Sequence, residues 1–254
     1  MRSLLRVIQL SKQNIAPFAG TLGQVLSCFI QEAVKDLQVS PNYTYILFEA
    51  SALCLTYTKH DPAAFASIED QLTPSLNSVI QLGLSDFVGY AFQLYATFIA
   101  FSSQMKPDYE TLCDSVLDIA SLETNWGKGM KYLIPALGIF LNTYLCKYPE
   151  QAIQKLANIQ HVICHLLKPD VRMEQVALKL CSTVFERLGP APLQDNGQFL
   201  HQVLIAIFTC LHFYRNNTRS KVIPASIMKS IHVFFATFMV CHGSQALVEA
   251  CNGV

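Results

Sequence analysis

The chain has 254 residues, of which 52% are apolar and only 14% charged, and its formal net charge is zero. That length is enough to bury one large core or two ordinary ones. The charge balance excludes the basic footprint of a nucleic-acid binder, and the charged fraction falls well below the roughly 25% of an average soluble domain.

Apolar residues recur at intervals of three and four rather than two, which predicts an all-α chain. The opening Met1-Arg2-Ser3-Leu4-Leu5-Arg6 has a short apolar run broken by Arg6 and no small-residue cleavage site, so it does not read as a signal peptide. A first helix is expected over residues 4–12, followed by five hairpins. The first pairs 15–37 with 42–60, split at Ser40-Pro41. The second pairs 62–82 with 85–104, with Gly83 ending one helix and Ser85 capping the next. The third pairs 107–122 with 128–148, separated by Asn125-Trp126-Gly127. The fourth pairs 149–168 with 169–188. The fifth pairs 197–214 with 223–240 across the polar loop 215–221, and a helical stub follows over 244–251. Pro74 and Pro135 fall inside these segments and are expected to kink or interrupt them.

The prolines set the larger pattern. Pro17, Pro62, Pro107, Pro149 and Pro192 stand 45, 45, 42 and 43 residues apart, each before an apolar stretch. Proline fits the first turn of a helix, where its missing N–H has no partner to lose. A period of about 40–47 is the signature of HEAT or armadillo hairpins, which bury their apolar faces only by stacking. The expected architecture is therefore an all-α HEAT-repeat solenoid. It has about five hairpins plus partial repeats at both ends, as one segment over residues 1–254. Leu4, Leu5, Val7, Ile8 and Leu10 would lack a preceding partner, as expected of a segment of a longer array.

The nine cysteines form no CxxC pair, and nearly all sit in apolar helical pattern, which suits reduced, buried thiols. Three windows, 87–105, 196–214 and 230–248, hold no Asp, Glu, Lys or Arg. Such lengths raise a membrane reading. Polar residues recurring along one side, such as Gln198, His201, Gln202 and His212, favour amphipathic helices packed on one another instead, without membrane insertion.

No phosphate loop, dinucleotide fingerprint, nucleophile elbow or HExxH is present, and no catalysis or cofactor is expected. Gly127-Lys128-Gly129 reads as a turn. His161 and His165 stand one helical turn apart beside Cys164, a spacing that suits a metal. No second pair accompanies them at fixed spacing, so they read as partly buried histidines. The acidic run Asp108, Glu110, Asp114 and Asp118 reads as a solvated face. The residues singled out for contact with a protein partner are Trp126, Lys128, Lys131, Arg187, Arg215 and Arg219, because tryptophan and arginine are favoured at interface hot spots.

Several stretches, in order, resemble a known family. They are Asn42-Tyr43-Thr44-Tyr45-Ile46-Leu47-Phe48-Glu49-Ala50, then Asp86-Phe87-Val88-Gly89-Tyr90-Ala91-Phe92-Gln93 with Gly89 in place of a proline, then Trp126 followed by Gly129. Phe185-Glu186-Arg187-Leu188 and His242-Gly243-Ser244-Gln245-Ala246-Leu247 complete the set. This order is similar to the C-terminal half of the exportin-2 family, the importin-α re-exporters of the importin-β superfamily. The stretch from Trp126 to Phe185 is shorter than in that family by about a helix, and the family's N-terminal region, where most Ran contacts lie, has no counterpart here. The resemblance implies nuclear export of importin-α with RanGTP, with phenylalanine-glycine nucleoporins as further candidate partners and a place in both nucleus and cytoplasm. The matching residues are mainly core ones, so individual Ran or cargo contacts do not carry over. A generic HEAT scaffold for another protein and a multi-pass membrane protein are the alternatives.

Overall fold

The structure, a computed structural model, describes residues 1–35, 41–118, 122–127, 130–217 and 222–251. Every regular element among them is helical, and the fold is all-α and HEAT-like. Two compact units form, Met1–Tyr109 and Glu110–Val254.

The first unit contains α1 (Arg2–Ser11), a 3-10 stretch (Lys12–Phe18), α2 (Ala19–Lys35), α3 (Pro41–Thr58), α4 (Pro62–Gln81) and α5 (Ser85–Phe101). Alternate helices are neighbours: α2 packs on α4, and α3 packs on α5. Leu26, Leu47, Ile68, Leu72, Leu76 and Phe98 are wholly buried between them. Each such side chain contributes about 1.5–3 kcal/mol of apolar burial.

Local chemistry sets the helix ends. Asp61 caps α4 by accepting the Ala64 N–H at 3.0 Å, with Pro62 as the first helical residue. At the other end the Leu84 N–H bonds the Val79 carbonyl at 3.4 Å and the Gly83 N–H bonds that of Ile80 at 3.0 Å. This doubly bonded stop needs a left-handed residue, and Gly83 supplies it at φ +61°. The expected Ser85 cap is corrected: the capping position is Leu84, and the Ser85 hydroxyl donates to Asp86 instead. Helix α4 also runs on through Pro74 without interruption.

Helix α6 (Pro107–Leu117) carries the chain out of the first unit. The second unit continues with α7 (Leu122–Trp126), α8 (Ile134–Lys147), α9 (Pro149–Gln154), α10 (Leu156–Leu166) and α11 (Glu174–Arg187). A 3-10 turn (Ala191–Leu193), α12 (Gln194–Asn217), α13 (Ala225–His242) and α14 (Ser244–Cys251) follow. Here α11 packs between α8 and α13, and α10 packs on α12. Its aromatic centre is Phe185, with ring centroids of Phe199, Phe234 and Phe238 at 5.7, 5.9 and 5.0 Å. At Gly138 on α8 the Val176 side chain of α11 packs so closely that a Cβ would lie 2.5 Å from its Cγ1.

Several expectations shift in this unit. Asn125 and Trp126 belong to α7 rather than to a turn. Pro135 lies in the first turn of α8, where it starts the helix and kinks nothing. The expected 149–168 helix is two, broken at Lys155, and the next begins at Glu174 rather than Pro169.

Buried polar contacts join residues one repeat apart. In the first unit the Glu69 carboxylate, 1% exposed, accepts from the Tyr109 hydroxyl 40 residues on. The Lys106 ammonium bridges Glu69 at 2.8 Å and Asp70 at 2.7 Å. Burial alone would lower the pKa of Lys106, but hydrogen bonds to Asp70 and Glu69 outweigh it and raise the pKa. In the second unit the buried Glu174 accepts from Tyr214 at 2.8 Å, again 40 residues on. Thr183 donates to Asn142 at 2.5 Å across 41 residues. Replacing Tyr109 by Phe leaves a buried carboxylate short of a donor. The Y109F chain is expected to lose about 1.5–3 kcal/mol of stability, read as a lower urea midpoint by circular dichroism.

Candidate interaction surface

Trp126 closes the short helix α7 and is 0% exposed. Its indole N–H donates to the Val116 carbonyl at 2.8 Å, and the preceding Asn125 amide donates to Ser115 O at 2.7 Å. Its own carbonyl meets His165 Nε2 at 3.2 Å. Trp126 thus fastens α6, α7 and α10 together. Its reading as a partner-contact residue is corrected: a side chain without exposed surface offers a partner nothing. Gly127 follows for a steric reason, since a Cβ there would overlap the Glu123 carbonyl oxygen.

Of the cations singled out from the sequence, Lys131 is half-buried just before α8. Arg187 and Arg215 are exposed in the last turns of α11 and α12, where the negative end of the helix favours a cation. Arg187 reaches the adjacent Glu186 at 3.2 Å with both side chains about half exposed, 48% and 50%. Such a surface pair holds weakly. Lys128 and Arg219 lie outside the described residues, as do Gly129 and most of the loop after Arg215.

His161 and His165 stand in different surroundings. His161 is exposed, whereas His165 is buried against Trp126. The Nδ1 of His165 has no hydrogen-bond partner among the described residues. Burial, aided by the nearby Lys168 charge, holds its pKa below the ordinary 6.5. Among the described residues no three His, Cys, Asp or Glu side chains gather as a metal site.

The thiols divide. Cys54, Cys113, Cys181 and Cys210 are buried, whereas Cys28, Cys146 and Cys241 are exposed, which corrects the expectation that nearly all are core. Burial pushes Cys54 and Cys113 up to about 12, so they stay protonated and unreactive. The acidic face of α6 is solvated as expected at Glu110, Asp114 and Asp118. Lys155 reaches back to Asp114 and, at 3.7 Å, to Glu110.

Exposed apolar side chains concentrate late in the second unit, at Ile205 and Phe208 on α12 and at Val233, Met239 and Val240 on α13. Of the three charge-free windows, only the last overlaps a helix long and apolar enough to cross a membrane among the described residues. That helix is α13, with mean hydropathy 1.3. Ile227, Ile231, Phe234 and Phe238 along it are buried within the unit.

A protein-family profile described as "CAS/CSE protein, C-terminus" matches residues 1–254. Among curated relatives, exportin-2 of Oreochromis niloticus is 26% identical over 261 residues, covering 100% of this chain and 25% of that protein. Exportin-2 of Homo sapiens is 24% identical over 260 residues and that of Mus musculus 23% over 256, with the same coverage of 100% and 25%. The chain therefore spans about a quarter of the length of these relatives. No solved structure matches it significantly.

The neutral, buried state of His165 carries a pH dependence. Its folded pKa lies below the 6.5 of a free imidazole, so its contribution is whole above that value. Stability is then lost as pH falls from there through the lowered folded value, because the unfolded chain binds the proton first. H165Q keeps an N–H toward Trp126 and removes the titration. Its urea midpoint is expected to fall less steeply between pH 7 and pH 5 than that of the unaltered chain.

Proposed function

The chain belongs to the CAS/CSE protein C-terminal family, and on that premise we propose that it is the protein-holding segment of a nuclear export receptor, acting with importin-α and RanGTP. The observation that carries this reading is the family match over residues 1–254 on an all-α, HEAT-like chain. We read residues 1–254 as one segment of a HEAT-repeat array that does no catalysis and holds partners on its surface.

Its mechanism is conformational. Small rotations between neighbouring repeats add up along an array, so it wraps around a partner or releases it. A ligand shifts that equilibrium only by its differential affinity for the two states. RanGTP and importin-α would favour the same closed state, and each would then raise the affinity for the other by an equal factor. Lys131, Arg187 and Arg215 are the proposed polar contacts, with Lys128 and Arg219 retained on sequence grounds. Phenylalanine-glycine nucleoporins are further proposed partners, and the protein would move between nucleus and cytoplasm.

The test is binding of the intact gene product to immobilised Ran loaded with GTP or GDP, with and without importin-α. The expected result is retention on the GTP form, strengthened at least tenfold by importin-α, for a coupling of about 1.4 kcal/mol or more. Equal retention on both nucleotide forms, with importin-α ignored, would contradict the proposal and leave a HEAT scaffold for a different partner.

A further inference from the structure

Helices α3 and α5 of the first unit enclose a groove of about 260 Å³ that no contact considered so far uses. Three aromatic rings form its wall. Phe48 stacks on Tyr90 at 5.4 Å between centroids, with planes 29° apart, and Tyr45 meets Tyr90 edge-on at 6.1 Å. Tyr45 is 52% exposed, so the wall is open to solvent. Glu49, Gln93 and Thr97 supply the polar lining.

Glu49 is the informative residue. It stands one helical turn after Tyr45 on α3, on the same face, and lines the same groove. It is half-buried and forms no ion pair or hydrogen bond among the described residues. Across α3 and α5 the charged residues are Glu49 and Asp86 alone, so no cation on either helix balances the carboxylate.

An apolar side chain seated in the groove would strip water from that carboxylate and leave it unpaired, at a cost of several kcal/mol. A cationic side chain removes the cost. Arginine fits best, because its planar guanidinium stacks on aromatic faces and bonds a carboxylate through two parallel N–H groups. We propose that this groove is a docking site for an arginine side chain in a basic segment of a protein partner. The guanidinium lies against the Tyr45, Phe48 and Tyr90 wall and donates to Glu49. The inference rests on the reading of the chain as a protein-binding array. Its test involves neither Ran nor importin-α, so the two proposals fail separately.

The probe is a fluorescein-labelled peptide, Gly-Ser-Arg-Arg-Arg-Ser-Gly, titrated with the full chain and followed by anisotropy. Versions carrying lysine or phenylalanine in place of arginine serve as comparisons. The arginine peptide is expected to bind best and the phenylalanine peptide not at all. E49Q keeps the shape of the side chain and is expected to weaken arginine binding about tenfold. Y90A is expected to weaken it about threefold or more. E150Q, an exposed carboxylate on α9 in the other unit, should change nothing. Failure of the arginine peptide to bind, equal binding by the E49Q chain, or preference for the phenylalanine peptide would each overturn the assignment.

Discussion

The register of neighbouring helices in each unit depends on polar hydrogen bonds set inside an apolar stack. Glu69 with Tyr109, Trp126 with His165, Asn142 with Thr183 and Glu174 with Tyr214 are joined across 40, 39, 41 and 40 residues. Those separations are close to one repeat. Apolar burial is non-directional, and a stack of greasy helices can slide by a turn at small loss. A buried carboxylate cannot slide, because leaving its donor costs about 1–3 kcal/mol or more. The polar contacts therefore set the register of neighbouring helices while the apolar contacts supply most of the stability.

The same arrangement engages several titratable side chains. Three such side chains are held within the packing. His165 is neutral and faces a backbone carbonyl, Cys113 is a protonated core thiol, and Glu174 is held by Tyr214 and Cys210. At the surface stand the arginines at the ends of α11 and α12, exposed apolar residues on α12 and α13, and the aromatic groove beside Glu49.

Much of the fold was legible because its signals are local. Pro62, Pro107 and Pro149 each begin a helix, and the beat they set follows the repeat. Gly83 ended its helix as its conformational freedom suggests. The misreadings share a cause, which is that the deciding partner lies far along the chain. Trp126 was read as a partner contact beside lysines, and only the Val116 carbonyl and His165 explain its burial. Glu69 and Glu174 carry no sequence mark that separates them from solvated carboxylates, because Tyr109 and Tyr214 are a whole repeat away. Pro135 was read as interior because the start of α8 was placed too early. The family resemblance was likewise carried by core residues such as Phe48, Trp126 and Phe185. This is why it identified the kind of protein without identifying the residues that touch a partner.

The most direct test of this account is a double-mutant cycle on Glu174 and Tyr214. The unfolding free energies of the unaltered chain, E174A, Y214F and the double variant would be compared. If the pair joins adjacent repeats as described, the coupling energy is about 1–3 kcal/mol in favour of the contact. A coupling within about 0.5 kcal/mol of zero would mean the repeats are held by apolar packing alone, which would contradict the account.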